Sequence, residues 1–161
     1  MTLLGAAQIR ELAAALDLKP SKSLGQNFVI DSNVCTKIVR TAAVGPTDIA
    51  LEIGPGLGSL TLALLESAAS VVAVEIDSRL AGQLPITVAN LFEHPENLTV
   101  LNQDALSIQS LPVDPTVLVA NLPYNVSVPV LLHLLEKFGS LRTGVVMVQA
   151  EVADRLAAKP G

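Results

Sequence analysis

The chain has one cysteine, Cys35, and two isolated histidines. An intrachain disulfide and a cysteine cluster for zinc are therefore excluded, and no metal is expected. Cys35 is expected to pack as a small apolar residue. Long apolar runs are also missing. Half of the residues are apolar, yet charge, proline or glycine interrupts every stretch well before the roughly 18 residues that span a bilayer. The start lacks a basic region leading into a continuous apolar core. No membrane partner is expected, and the cytoplasm is the expected compartment. Internal repeats and low-complexity tracts are absent.

Positive charge is scarce, with 10 Lys and Arg against 15 Asp and Glu, a net charge of −5. Such a balance argues against nucleic-acid binding until the charges are placed along the chain. Residues 1 to 40 hold Arg10, Lys19, Lys22, Lys37 and Arg40 against Glu11, Asp17 and Asp31, a local balance of +2; the remaining 121 residues hold 5 basic and 12 acidic side chains, or −7. A positive leading segment on an acidic body could face phosphate, although exposed lysines in a solvated loop are the commoner explanation.

The 161 residues suit one domain that buries a substantial core. Its organising stretch is Leu51-Glu52-Ile53-Gly54-Pro55-Gly56-Leu57-Gly58. Ile49 to Ile53 reads as a first parallel strand covered on both faces. Gly54, Gly56 and Gly58 form a loop without side-chain bulk where a ligand could approach the backbone. Leu57 to Ala69 reads as the next helix, with Leu57, Leu60, Leu64 and Leu65 on one face and free N–H groups at its start. A dinucleotide fingerprint would need glycine at 59, where this chain has Ser59. Ser70 to Val74 is a second strand, and Glu75 at its end is positioned to accept both hydroxyls of an adenosine ribose. Taken alone, these features mean a nucleoside-containing ligand in an α/β sheet, or a tight strand-helix turn with a surface glutamate.

Taken in order, Ala6 to Leu18 is an amphipathic opening helix stopped by Pro20, followed by a basic irregular loop anchored by Phe28. Asp31 or Ser32 caps a second helix with a stripe of Val34, Ile38, Val39 and Ala42, ended by Gly45-Pro46. Ser78 to Phe92 is helical, with Pro85 either kinking or restarting it. Leu98 to Leu101, Val117 to Ala120 and Gly144 to Val148 are further strands. Helices are expected at Val130 to Lys137 and Glu151 to Ala158. Strands alternating with helices imply a parallel sheet with right-handed crossovers, helices on both faces, and ligand loops at the strand carboxyl ends.

Asn121-Leu122-Pro123-Tyr124 follows the fourth strand. Proline biases Leu122 toward an extended conformation, so the Asn121 amide and Leu122 carbonyl can present acceptors into a cleft while Tyr124 supplies a ring. Two acceptors facing an exocyclic amino group would hold its N–H donors and favour the pyramidal geometry in which its lone pair attacks. Tyr124 could stack on a base taken out of its stack. The competing reading is a turn in which Asn121 bonds its own backbone and Tyr124 fills the core.

Gly25-Gln-Asn-Phe, Leu51-Glu-Ile-Gly-Pro-Gly-Leu-Gly-Ser-Leu-Thr, Glu75-Ile-Asp, Gln103-Asp-Ala-Leu, Asn121-Leu-Pro-Tyr-Asn and Met147-Val-Gln-Ala-Glu-Val-Ala-Asp-Arg together resemble the ribosomal RNA adenine N6-dimethyltransferases. The likeness is greatest to the group that modifies two adjacent adenosines in the terminal hairpin of small-subunit RNA. The resemblance implies a Rossmann-like α/β fold, mainly a parallel sheet with helices on both faces, that uses S-adenosylmethionine. It implies cofactor contacts from Asn27, Val29, Gly54, Gly56, Glu75, Ile76, Asp104, Ala105 and Asn121, and a reaction centre at Asn121, Leu122, Pro123 and Tyr124. Small-subunit ribosomal RNA and the assembling small subunit are the implied partners, and a monomer is expected. Residues 1–30 are expected to form a helix and basic loop packed on a catalytic domain of residues 31–161. The family usually has leucine at Val29 and Ser-Thr at Ser127-Val128, which leaves the chemistry unaltered. Its members continue into two more strands and a small helical domain, so the chain is expected to be a fragment lacking these.

Overall fold

The computed structural model describes residues 32–122 and 124–147. The expected opening helix, basic loop and final helix lie outside the described residues, as do Asp31, Asn27, Val29 and Pro123. Five strands form one sheet: β1 (Ile49–Ile53), β2 (Ser70–Val74), β3 (Leu98–Leu101), β4 (Val117–Asn121) and β5 (Thr143–Met147). Their spatial order is β3-β2-β1-β4-β5, with every pairing parallel. The first strand in sequence is therefore the middle strand in space. Order reverses between β1 and β4, which is where an open α/β sheet opens a crevice at its carboxyl edge.

Alternate residues along the strands feed two cores. Ala50, Val71, Ala73, Val117 and Val119 pack under α1 (Ser32–Thr41), α2 (Ser59–Ser67) and α3 (Ser78–Leu91). Leu51, Ile53, Val72, Val74, Leu118 and Ala120 face Val130 and Leu134 of α4 (Tyr124–Lys137), together with Ala105 and Ile108. Helices on both faces are as expected. His133 Nε2 donates to the Ile108 carbonyl at 2.8 Å, fastening α4 to the segment after β3. Burying each of the valine, leucine and isoleucine side chains among these contributes about 1.5–3 kcal/mol.

Several expected details differ. In α1 Cys35 and Val39 are buried and Ile38 partly so, with Ala42 buried just beyond the helix, whereas Val34 is 43% exposed. The helix ends at Thr41, before Gly45-Pro46, because Ala43 adopts a left-handed φ of 54°. There Ala43 N–H bonds the Arg40 carbonyl and Val44 N–H the Val39 carbonyl, closing the last turn. Helix α2 starts at Ser59 because Gly56 and Gly58 both have positive φ, and all of Ser59 to Leu65 is buried, without a single apolar face. Helix α3 runs unbroken through Pro85, resolving the kink-or-restart question in favour of one helix. Helix α4 begins at Tyr124, six residues before the expected start, with Pro129 inside it. Proline removes one N–H from such a helix, a local cost that packing of Val130 and Leu134 offsets.

The amino edge of the sheet is closed by polar contacts. Arg142 donates to Asp48 Oδ2 at 2.6 Å and to the Ala43 carbonyl at 2.8 Å, while Thr116 Oγ1 donates to Asp48 Oδ1 at 2.8 Å. The bond from Arg142 holds the Asp48 carboxyl below its ordinary range against the opposing effect of burial.

Glu52 is one of two acidic side chains that are almost wholly buried among the described residues, the other being Glu75. It is fully buried between Ala73 and Val119, and Thr61 Oγ1 donates to its Oε1 at 2.5 Å. Its Oε2 has no partner among the described residues. Burial pushes the carboxyl up to about 8, the Thr61 bond opposes this, and the Glu75 charge adds to it. Because the folded value exceeds the ordinary 4.5, the associated stability is complete below about pH 4.5 and is lost as pH rises through about 8. Replacing Glu52 by Gln keeps the shape without the titration. The melting temperature of the parent should therefore fall relative to E52Q between pH 5 and 8.5; parallel curves would show that Glu52 does not titrate in this range.

Candidate active site

The strand order lines up four loops at the carboxyl edge, those after β3, β2, β1 and β4 in turn. Adjacent strands lie about 4.8 Å apart, so the row spans about 14 Å, the scale of a nucleoside with a short tail. Each loop carries one of the residues singled out in the sequence.

After β1, Gly54, Gly56 and Gly58 have φ of 76°, 58° and 103°. At Gly54 the constraint is close approach as well as conformation. A Cβ there would stand 2.6 Å from the Asn121 carbonyl oxygen and 2.9 Å from Leu122 Cδ2. Beside Gly56 the corresponding position meets no heavy atom within 4 Å. Gly58 precedes α2 without a side-chain cap, which leaves first-turn N–H groups with no side-chain acceptor.

After β2, Glu75 is 1% exposed and accepts from Gly56 N–H at 3.2 Å through Oε1 and from Asp77 N–H at 3.0 Å through Oε2. Burial pushes its carboxyl up, the backbone bonds from Asp77 and Gly56 pull it down, and the Asp77 charge raises it. The alternative of a surface glutamate is thereby excluded. Ile76 beside it is 67% exposed, an apolar side chain presented to the crevice rim with no core to fill. Asp77 caps α3, accepting from Arg79 N–H at 2.8 Å and Leu80 N–H at 3.3 Å.

After β3, Asp104 Oδ1 accepts from Leu106 N–H at 3.0 Å and caps a short 3-10 turn, Ala105–Ser107; Ala105 is buried. Asn102, which the sequence reading left without a role, bridges this loop to the previous one. Its Nδ2 donates to the Glu75 carbonyl at 2.8 Å and the Ile76 carbonyl at 3.2 Å. An asparagine after a strand resembles any turn residue, so no local signal marks a contact 27 residues away.

After β4, Asn121 and Leu122 are half-buried, and the Asn121 side chain makes no hydrogen bond to another described residue. The structure thus brings together Gly54, Gly56, Glu75, Asn121 and Leu122, with Ile76, Asp104 and Ala105 on the neighbouring loops. Asn27, Val29, Pro123 and the Tyr124 ring lie outside what is described. Among the described residues no group of three or more His, Cys, Asp or Glu side chains could hold a metal ion, and no helix is long and apolar enough to cross a membrane.

A parallel sheet of this order, with a glycine loop and an acid on adjacent strands, defines a Rossmann-like methyltransferase fold. The solved structures agree. A dimethyladenosine transferase from Plasmodium falciparum superposes with a TM-score of 0.63 at 32% identity, covering 80% of this chain and 46% of that one. The 23S rRNA methyltransferase ErmE superposes with a TM-score of 0.67 at 32% identity, covering 79% and 50%. The family model for ribosomal RNA adenine dimethylase matches residues 18–161, and the chain belongs to that family. Curated relatives named ribosomal RNA small subunit methyltransferase A include one from Streptomyces avermitilis, 62% identical over 99% of this chain and 55% of its own length. Another, from Leifsonia xyli, is 62% identical over 100% of this chain and 58% of its own. The chain therefore spans just over half the length of these relatives.

The two loop glycines should respond differently to alanine. In G56A the cost is the left-handed backbone, roughly 1–2 kcal/mol. G54A adds displacement of the Asn121 main chain, so its loss of stability should be the larger of the two. Equal losses in chemical denaturation would mean that the β4 turn moves aside freely.

Proposed function

We propose that this chain is the catalytic domain of an enzyme that transfers methyl groups from S-adenosylmethionine to N6 of two adjacent adenosines in the 3′-terminal hairpin of 16S ribosomal RNA. The observation that carries the reading is the approach of Gly54 to the Asn121–Leu122 turn, which sets a nucleotide cradle against a pair of amine acceptors. The names of the most similar relatives support small-subunit RNA as substrate. The likeness to a 23S rRNA methyltransferase, at lower identity, favours the large subunit less.

The residues present fit the cofactor. Open space beside Gly56 admits a nucleoside against the backbone, and the Glu75 oxygens, each with one backbone N–H donor, keep lone pairs for ribose hydroxyls. Ile76 would flank the adenine, Asp104 with Ala105 would receive its amino group, and Gly54 with Asn121 would border the methionine end. Asn27 and Val29 complete the set by family resemblance. When bound, S-adenosylmethionine supplies a methyl group already activated by its sulfonium charge.

The protein's own part is alignment and polarisation. Asn121 Oδ1 and the Leu122 carbonyl oxygen would accept from the target amine, two N–H donors in the first transfer and one in the second, so that its lone pair points at the donor; N6 gains the methyl carbon as the bond from that carbon to sulfur breaks, and the proton N6 sheds passes to solvent. In this reading Tyr124 would stack on the extruded base, and Pro123 would bias Leu122 toward an extended backbone. By the family resemblance, residues 31–161 would be the catalytic domain and residues 1–30 a helix and basic loop belonging to it. The setting is the cytoplasm, on the assembling small subunit, with the enzyme as a monomer.

The decisive experiment incubates the whole protein with labelled S-adenosylmethionine and either unmodified small subunits or large-subunit RNA, then maps the label. Methylated adenines in the terminal hairpin are expected; label only in large-subunit RNA would reverse the substrate assignment. Asn121→Ala should lower methyl transfer by about 10²–10³ while changing cofactor affinity far less. Glu75→Ala should weaken cofactor binding by about 1.5–3 kcal/mol, measured by calorimetry. Tyr124→Ala should forfeit a stacking platform of about 1–3 kcal/mol that Tyr124→Phe partly restores. Loss of folding and cofactor binding together in the alanine variants at 121 and 124 would return the turn to a structural role.

A further inference from the structure

Glu75 is held at four points. Its N–H donates to the Leu101 carbonyl at 2.9 Å, its Oε1 and Oε2 accept from Gly56 and Asp77 N–H, and its carbonyl accepts from Asn102 Nδ2 at 2.8 Å. In three of the four the partner is backbone, which every residue supplies. The fourth depends on a side chain. Asn102 spends the same Nδ2 on the Ile76 carbonyl at 3.2 Å, so one amide group fixes two successive peptide units. Both acceptors are carbonyl oxygens, which means that only the nitrogen end of the amide can face them. Aspartate, which has the same shape, has no donor to offer.

We propose that Asn102 is a positioning residue for the adenosine half of the cofactor, acting without touching it. Its two donors fix the peptide units of Glu75 and Ile76 and so set the direction of the carboxylate meant for the ribose and of the apolar side chain meant for the adenine. The inference rests on the S-adenosylmethionine reading above and extends it to a residue one loop away. Asn102 itself is exposed and lies outside both apolar cores, so its replacement leaves the packing of the sheet in place.

The test uses the whole protein and S-adenosylhomocysteine as probe, together with its 2′-deoxyadenosine counterpart. Affinities of the parent, Asn102→Ala and Asn102→Asp are measured by calorimetry, alongside melting temperatures and the kinetics of methyl transfer. Both substitutions should weaken S-adenosylhomocysteine binding about threefold to tenfold, the equivalent of one or two ordinary hydrogen bonds. The KM for S-adenosylmethionine should rise with it, and the turnover rate at saturation should change less. The affinity lost on removing the 2′-hydroxyl should be smaller in the variants than in the parent, because the carboxylate that reads it is already misdirected. Asn102→Asp separates the donor role from packing, since a packing role predicts that it binds like the parent. Parent-like binding by both variants, or an unchanged 2′-hydroxyl penalty, overturns the proposal. A parent that binds no S-adenosylhomocysteine overturns the cofactor reading itself, and the inference with it.

Discussion

The Asn121 carbonyl oxygen occupies space that any side chain at position 54 would enter, its distance from a Cβ there being only 2.6 Å. Most of the site follows from that contact. It brings the loop after β1 against the turn after β4, across the point where the strand order reverses. It leaves glycine as the residue that fits at 54, because a φ of 76° and a main-chain neighbour exclude bulk together. It also relates two pieces of chemistry through backbone atoms, whose separation is insensitive to rotamer changes. In the proposed reaction, a donor lying on one piece and an amine held by the other would inherit their alignment from the sheet.

The charges near this contact are arranged by burial more than by pairing. Glu52 on β1 and Glu75 just after β2 both stand below the surface, and both carboxyls are pushed above the ordinary range by desolvation. They differ in their partners. Glu75 has two backbone N–H donors and is suited to remain an acceptor. Glu52 has one hydroxyl and an orphaned oxygen, and is suited to keep its proton. In the proposed site one acid would meet the ligand while its neighbour is neutral filling beneath the loop, a division set by the number of donors each can reach.

The strands were legible because each is short, apolar and bounded by turn residues. β1, β2 and β3 begin and end where the pattern places them. Helix ends were less legible for a physical reason: Pro129 looks like a start signal, yet tertiary packing carries α4 through it from Tyr124. Helix α2 shows the same limit. Its leucines suggest one apolar face, but its packing against α1, the sheet and Leu84 of α3 buries the whole first half, so periodicity had little to report. Of the candidate site, Gly54, Gly56, Glu75, Asn121 and Leu122 could be named from the residues themselves, and Ile76, Asp104 and Ala105 from the family motifs that contain them. Asn102 could not, since its meaning lies in carbonyl groups 26 and 27 residues before it.

The central position of β1 also sets a schedule for the chain as it is made. Ile49 finds its partner Thr116 only 67 residues later, and at roughly 5–20 residues per second that is an interval of about 3–13 s. Through this interval one side of β1 has β2 to pair with, and the other presents open backbone and the apolar side chains of the central strand. The nascent domain therefore carries an open apolar edge on its middle strand until β4 arrives to pair with β1 and form the turn at the candidate site.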